Sequence, residues 1–215
     1  MRYGVVLGPE DVLPERPFTD AANTSREAGV MRLMLEHERG RARAWADAGP
    51  NAPPRVVIRE HDEAGRRHLL VVPSTRALLA SPRLTAIGFF GRPREDVDHS
   101  VLFGLEDELI ERMGTYGEVG LLSYYDVELE LPKDRYGNLI LFSTPDVPEE
   151  WYRDGVHRRA VELSPGHYYE VRLHKASVPA GILDRAGLTV ERTKYVDFTG
   201  ADVWFGLRRF NGTAV

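Results

Sequence analysis

The sequence predicts an α+β fold whose core is a single β-α-β-β-α-β unit. Segment 137–175 carries the clearest signal, because the short, mostly apolar run NLILFS is followed by a helical stripe and then by an alternating strand over 167–174. A short run of this kind, bounded by glycine and proline, is typical of a buried strand. A second strand–helix–strand series fills 84–131. The two series together give the β-α-β-β-α-β order.

Length and composition indicate one core with extensions. At 215 residues the chain is long for one small domain and short for two. We expect an N-terminal extension over 1–80, the core unit over 84–179 and a C-terminal extension over 180–215. Hydrophobic residues make up 42% of the chain and charged residues 28%, which is typical of a globular protein.

Charge and cysteine content argue against several kinds of partner. The chain has 28 Lys+Arg against 33 Asp+Glu, a formal net charge of −5, whereas a nucleic-acid site needs clustered positive charge. It has no cysteine, and so no disulfide, thiolate ligand or cysteine nucleophile, which fits a reducing cytoplasm. No apolar run approaches the ~18 residues of a membrane-spanning helix. We expect a cytoplasmic protein with neither a nucleic-acid nor a membrane partner.

The N-terminal extension is predicted to contain one long helix and one hairpin. Residues 1–23 are rich in proline and acidic residues, and we expect an irregular lead-in that lies across another part of the fold. Thr24-Ser25-Arg26-Glu27 has the spacing of a capping box, which predicts a helix from there to about Asp47. Two short alternating segments, 55–60 and 68–72, predict a β-hairpin.

The core unit is predicted to place both of its helices on one face of a four-stranded antiparallel sheet. A strand at 84–90 precedes a helix near 101–114, and a long strand at 119–131 and a turn at 132–136 follow. The next helix is expected at 148–163. The apolar stripe of the first helix is Leu102, Leu105, Leu109 and Met113. Because each helix has a single apolar stripe, one face of the sheet is enough to cover both stripes.

The outer strands of this unit are expected to lie far apart. In a sheet of this order, strands 119–131 and 167–174 form opposite edges, about 14 Å apart at ~4.8 Å per strand step. After Gly181, segments 188–198 and 203–210 predict a second hairpin that packs on the core.

The β-α-β-β-α-β order is the ferredoxin-like arrangement. With the pattern Trp151…His157…Pro165-Gly166…Tyr169, segment 84–179 resembles the dimeric α+β barrel superfamily, in particular its EthD-like and antibiotic-biosynthesis-monooxygenase-like branches. The resemblance implies two sheets packed face to face around a small organic ligand, or around haem in chlorite-dismutase-like members. It implies a homodimer, unless the terminal extensions close the barrel within one chain. It implies a fold and not an activity.

Candidate site residues follow from the polar faces of two strands and one helix. His157 lies at the border of its helical stripe, and His174 lies on the polar face of the strand at 167–174, so each is a candidate proton shuttle as well as a structural residue. The candidate ligand-binding residues are Tyr124, Asp126, Tyr168 and Arg172. We expect barrel closure to gather Tyr124, Arg172 and His174 around one ligand within reach of His157.

Motifs for metal, phosphate and dinucleotide chemistry are absent from the sequence. No His-x-x-x-His or Glu-x-x-His pair places two metal ligands on one helix face, and there is no Gly-x-Ser-x-Gly elbow, phosphate loop or dinucleotide fingerprint. We expect a colourless protein without metal or cofactor, because no histidine has the neighbouring carboxylate or second imidazole that a defined metal site usually shows in sequence.

Three functions stay open at this point. The first is an enzyme similar to cofactor-independent monooxygenases that acts on a small aromatic or polyketide-like substrate. The second is a haem protein of the same superfamily, with a histidine as axial ligand. The third is a non-catalytic ligand-binding or assembly module.

Overall fold

The computed structural model describes residues 4–116, 120–129 and 136–210, and within these ranges the chain forms an α+β fold of five α-helices and nine strands. The helices are α1 (Ala21–Ala48), α2 (Thr75–Ala80), α3 (Ser100–Tyr116), α4 (Glu149–Arg153) and α5 (Gly155–His167). The strands are β1 (Val5–Leu7), β2 (Val56–His61), β3 (Arg67–Val72), β4 (Leu84–Pro93), β5 (Leu121–Glu128), β6 (Tyr136–Phe142), β7 (Tyr168–Val178), β8 (Thr189–Asp197) and β9 (Trp204–Arg209).

All nine strands belong to one mixed sheet in the order β1-β9-β8-β7-β4-β6-β5-β3-β2. Every neighbouring pair is antiparallel except β1 and β9, which are parallel. The predicted four-stranded antiparallel sheet is therefore too small. Both predicted hairpins form, but they pair edge to edge with the core strands, because β5 and β7 each offer a free row of backbone groups.

Helix α1 covers one face of the sheet and crosses the strands instead of following them. Thr24 Oγ1 lies 3.4 Å from the Tyr195 hydroxyl on β8, and Arg41 reaches Glu60 on β2 at 2.6 Å. Those two strands are six steps apart in the sheet, about 29 Å at ~4.8 Å each. The helical rise between Thr24 and Arg41, about 26 Å at ~1.5 Å per residue, matches that width. A single helix therefore spans most of the sheet.

One glycine in the sheet leaves room for a buried side chain of α1. A Cβ atom on Gly88, in the central strand β4, would lie 2.5 Å from Met31 Sδ on α1. Any side chain at this position would displace the buried side chain of Met31. The buried residues of α1 are Thr24, Glu27, Ala28, Met31, Met34, Leu35, Glu38, Arg39, Ala42 and Trp45.

The predicted start of this helix was wrong by one turn. Asp20 is the N-cap, and its side chain accepts a 2.8 Å hydrogen bond from the Ala22 amide. Thr24 and Glu27 lie inside the helix and are buried. A capping-box spacing is also an i, i+3 helical spacing, so the same two residues share the face that meets the sheet.

Helices α3 and α5 cover the opposite face, as the single apolar stripes predict. Leu105, Leu109 and Met113 are buried in one cluster with Trp151 and Val156.

The predicted helix at 148–163 is divided into two helices. The break falls at Asp154, whose carboxylate accepts hydrogen bonds from the amides of Val156 and His157 at 2.8 and 3.0 Å and so caps α5. Helix α5 then continues through Pro165 to His167, past the predicted end at 163.

Two further predictions concern segments at the border of the described part. The lead-in contributes β1, which adds to the sheet edge at β9. The strand expected at 119–131 is observed from Leu121 to Glu128, while its expected ends and the turn at 132–135 lie outside the described residues. No helix in the described ranges is long and apolar enough to cross a membrane.

Candidate functional site

The sheet separates the predicted site residues onto its two faces. Tyr124 packs with the α3 cluster and Asp126 shares its strand face, whereas Arg172 and His174 contact α1. The expected gathering of Tyr124, Arg172 and His174 around one ligand is therefore wrong. The alternation of side chains along a strand shows which residues share a face. It does not show which helix covers that face.

On the α1 face, Arg172 and His174 are used by the fold itself. Arg172 Nε and His174 Nε2 donate to the two carboxylate oxygens of Glu27, each at 2.6 Å, and His174 Nδ1 lies 2.8 Å from Thr193 Oγ1. Burial alone would raise the pKa of Glu27, but His174 and Arg172 outweigh burial and lower it. We call this group the Glu27 clasp. It joins α1 to β7, and both ring nitrogens of His174 are engaged.

On the α3 face, five polar side chains form one connected group, which we call the carboxyl cluster: Arg67, Glu106, Tyr124, Asp126 and Asn138. Arg67 Nη2 donates to Asp126 at 2.7 Å and to Glu106 at 3.2 Å. The Tyr124 hydroxyl donates to Glu106 at 3.0 Å and accepts from the Asn138 amide at 3.1 Å, and the same amide donates to Asp126. The five side chains therefore bond to one another, with the Asn138 amide between Tyr124 and Asp126.

The surroundings raise the pKa values of both Asp126 and Tyr124. Burial raises the pKa of Asp126, the neighbouring Glu106 raises it further, and Arg67 opposes both without cancelling them. Burial also raises the pKa of Tyr124 well above its usual value, with Glu106, Asp126 and Tyr168 adding to the rise. A buried carboxylic acid beside a phenol is suited to donating hydrogen bonds to a ligand oxygen.

A half-buried row of residues runs from the carboxyl cluster across the central strands. Asp126 lies directly opposite Asn138 on β6, Asn138 opposite Phe89 on β4, and Phe89 opposite Leu173 on β7. Asn138, Phe89 and Leu173 remain partly exposed although they lie on central strands. Helices α3 and α5 therefore leave part of this face uncovered, and we call that uncovered row the cleft.

Tyr168, the third predicted ligand-binding residue, reaches back toward the cleft. Its ring lies 5.6 Å from the ring of Phe89 in an edge-on arrangement. A Cβ atom on Gly91 would lie 2.7 Å from that ring, so glycine is the residue that leaves the tyrosine in place. The structure thus brings Tyr124, Asp126 and Tyr168 to the same side of the sheet.

His157 lies in a different part of the helical layer. Its ring packs against Trp151, with centroids 4.9 Å apart, and burial lowers its pKa against the opposing charge of Asp154. These contacts join α4 to α5. Its catalytic role stays a prediction.

Sequence reasoning did not single out Glu106, Arg67, Asn138 or Glu27 as parts of a site. Asn138 carried a signal, since it is the polar residue that opens an otherwise apolar buried strand. Glu27 carried another, because it falls on the apolar stripe of its helix. Arg67 and Glu106 carried none. An arginine and a glutamate look the same in a sequence whether they form an exposed ion pair or a partly buried contact such as this one.

Histidine neighbours also differ from those expected. His174 has Glu27 as a partner, and His99 and His167 approach to 3.3 Å between their Nδ1 atoms. These partners come from distant parts of the chain, so the sequence did not show them, and the metal-free expectation stays a prediction. No three His, Cys, Asp or Glu side chains in the described ranges are arranged to hold a metal ion.

Two surface grooves, of about 620 and 700 Å³, lie apart from these residues. The first lies between the end of α1 and α2, and the second lies between β2 and α3. Neither is lined by a residue of the carboxyl cluster or the Glu27 clasp.

The chain matched no protein-family model, no curated protein and no solved structure in three comparisons.

Proposed function

We propose that the protein binds a small aromatic or polyketide-like carbonyl compound in the cleft, with Asp126 and Tyr124 as hydrogen-bond donors to the carbonyl oxygen. The observation that carries the proposal is the half-exposed apolar row of Phe89 and Leu173, which runs across the central strands to the buried Asp126 and Tyr124. Ligand sites typically combine an apolar surface with a few convergent polar groups.

Each part of the cleft has a role in this proposal. Phe89 and Leu173 offer a flat apolar floor for a ring, and Tyr168 closes one end beside Phe89. Asp126 and Tyr124 offer protons to an acceptor. Arg67 holds both carboxyl groups in position and is about one-third exposed, at 32% of its side-chain surface.

We also infer that β4, α3, β5, β6, α5 and β7 form a ferredoxin-like unit related to the dimeric α+β barrel superfamily. The spatial order β7-β4-β6-β5, antiparallel throughout, and the position of α3 and α5 on one face support it. In such a barrel a second sheet would occupy the face that α1 covers here. We propose that α1 closes this unit within one chain, which places the ligand site on the helical side.

Of the alternatives, a haem protein gains no support from His174, whose two ring nitrogens are held by Glu27 and Thr193. An activity similar to cofactor-independent monooxygenases would use the same cleft, since its polar groups act on a carbonyl oxygen without a cofactor.

The proposal is tested with two probes that differ only in the carbonyl group, 2-indanone and indane. Ligand-observed NMR and calorimetry should show that the wild-type protein binds 2-indanone more tightly. Tyr124→Phe should weaken 2-indanone binding by up to about tenfold, the effect of one hydrogen bond, and leave indane binding unchanged. Phe89→Ala should weaken both probes.

Val57→Ala is the matched control, because Val57 is 40% exposed in the groove beside β2, away from the cleft. It should bind both probes as the parent does. The proposal fails if neither probe binds the wild-type protein, or if Tyr124→Phe and Phe89→Ala bind both probes as the parent does.

A further inference from the structure

We propose that a hydrogen-bonded pair of histidines, His99 and His167, makes ligand binding in the cleft pH-dependent, because it holds Tyr168 beside the cleft floor at neutral pH and releases it in acid. The part of this inference that concerns the ligand rests on the proposed function. The pair belongs to neither the carboxyl cluster nor the Glu27 clasp. It joins the segment before α3 to the end of α5.

Three hydrogen bonds close a ring between that segment and α5, and we call the ring the histidine latch. The Arg94 amide donates to the His167 carbonyl oxygen at 2.9 Å. His99 Nε2 donates to the Arg94 carbonyl oxygen at 2.8 Å. The Nδ1 atoms of His99 and His167 then lie 3.3 Å apart. The segment is therefore held to α5 through backbone and imidazole groups together.

The carbonyl partner of His99 assigns the protons of the neutral pair. A carbonyl oxygen can only accept, so His99 carries its hydrogen on Nε2 and has a lone pair on Nδ1. His167 must then donate from its own Nδ1, which leaves a lone pair on its Nε2. The first proton that the pair takes up goes to that Nε2 atom. One added proton therefore keeps the hydrogen bond between the rings.

A second added proton has no place in this arrangement. The remaining lone pair is that of His99 Nδ1, and a proton there turns the acceptor into a second donor that faces the first. Two positive rings whose centroids are 5.3 Å apart also repel each other. The doubly protonated pair must therefore separate, whereas the neutral and singly protonated pairs stay joined.

The neighbours of the pair set the pH at which the latch opens. Asp98 and the carboxyl end of α5 favour protonation of His167, while the Arg94 guanidinium, which donates to a carbonyl oxygen of α5, opposes it. On β7, Tyr168 contributes a ring near His99. Burial and His99 outweigh Asp98 and lower the pKa of His167 from its ordinary 6.5. Because the folded-state pKa is below the unfolded one, protonation weakens the latch as the pH falls below about 6.5.

Tyr168 connects the latch to the cleft. It follows His167 in the chain, and its ring lies 6.5 Å from the His99 ring and 5.6 Å from the Phe89 ring. The strand ladder holds this end weakly, because the pairing of β4 with β7 is irregular where Pro93 lies opposite Tyr168, and proline has no amide hydrogen to donate. When the latch opens, Tyr168 therefore loses the contacts that keep it beside Phe89.

Indane binding at two pH values tests the regulation, because indane has no carbonyl group that could respond to titration of the carboxyl cluster. Calorimetry should show that the wild-type protein binds indane up to about tenfold more weakly at pH 5 than at pH 7.5, the effect of one aromatic contact. Tyr168→Ala should bind indane weakly at both pH values, with no further loss in acid.

His167→Asn separates the latch from general effects of acid. The asparagine amide can donate to His99 Nδ1, takes up no proton, and offers an oxygen once His99 is protonated. This variant should therefore bind indane equally well at pH 5 and 7.5. His61→Asn is the matched control, because His61 is exposed at the end of β2. It should keep the wild-type loss of affinity in acid.

NMR titration of the histidine ring signals tests the latch without a ligand. In the wild-type protein, His99 and His167 should titrate together in two steps that are separated by about one pH unit or more, because the rings are coupled. In His167→Asn, His99 should titrate in a single step.

The outcomes separate the two proposals. If neither indane nor 2-indanone binds at pH 7.5, the proposed function fails, and the ring signals alone decide the latch. If indane binds equally at both pH values, or if His167→Asn or Tyr168→Ala keeps the wild-type loss, the regulation is overturned. Independent titration of His99 and His167 would overturn the latch itself. Loss of the wild-type fold by pH 5 in circular dichroism would overturn it too, because the proposal requires a local opening.

Discussion

Glu38 offers a direct test of how α1 packs on the sheet. Its side chain is fully buried, and neither carboxyl oxygen has a hydrogen-bond partner among the described residues. Ser123 Oγ, on β5, is also buried without such a partner. Burial raises the pKa of Glu38 from an ordinary 4.5 to about 7. Between about pH 4.5 and 7 the folded protein therefore holds a proton that the unfolded chain releases.

The sign of the pH dependence follows from that difference. Because the folded-state pKa lies above the unfolded one, the contribution of Glu38 is most favourable below pH 4.5 and is lost as the pH rises to about 7. The difference of about 2.5 between the two pKa values, at ~1.36 kcal/mol per unit, corresponds to about 3 kcal/mol.

Glu38→Gln removes the titration and keeps the shape of the side chain. We expect urea denaturation to give the variant a free energy of unfolding that gains about 3 kcal/mol relative to the wild-type protein between pH 4.5 and 7. Asp47→Asn, at an exposed position on the same helix, is the control and should show no such gain. If Glu38→Gln and the wild-type protein keep a constant difference over this range, Glu38 is not buried as described.

Three further predictions concern the core, the clasp and the assembly. Leu105→Ala should lower the free energy of unfolding by about 2–5 kcal/mol. Val101→Ala should change it little, because Val101 on the same helix is 43% exposed. A loss under about 0.5 kcal/mol for Leu105→Ala in chemical denaturation would show that the stripe is not core. Glu27→Gln should cost about 3–5 kcal/mol, because it leaves the buried Arg172 guanidinium without its closest carboxylate; a loss under about 1 kcal/mol would contradict the clasp. If α1 closes the core unit within one chain, light scattering should give the mass of one chain, 24.3 kDa, and a dimer that survives dilution would contradict that closure.

The sequence predicted those parts of the fold that depend on local pattern. The hairpin strands β2, β3, β8 and β9 fall close to the predicted segments, because period-two alternation and turn residues are local signals. The covering of one sheet face by α3 follows from its single apolar stripe. The nine-stranded sheet was not predictable in this way, since edge-to-edge pairing depends on backbone groups that every strand carries.

The candidate site was predicted in part for a related reason. Tyr124, Asp126 and Tyr168 were expected as polar residues at sheet positions, and all three lie on the α3 face. Arg172 shares a strand with Tyr168, yet it faces Glu27 on α1. No local signal distinguishes a polar strand face that meets a charged helix from one that meets a ligand, because both require the same residue types.

The path of α1 also constrains how the chain reaches its native state. Glu27 meets His174 across 147 positions of sequence, Thr24 meets Tyr195 across 171, and Arg39 meets Ile182 across 143. Contacts between residues so far apart in the sequence form slowly, because closing such large loops has a high entropic cost. During synthesis on a ribosome, α1 would emerge long before β7 and β8 exist. Its packing face, which carries both charged and apolar residues, would then have no sheet to pack against. The protein should therefore fold only after nearly all of it has been synthesised, and nascent α1 is the segment for which a chaperone would be needed most.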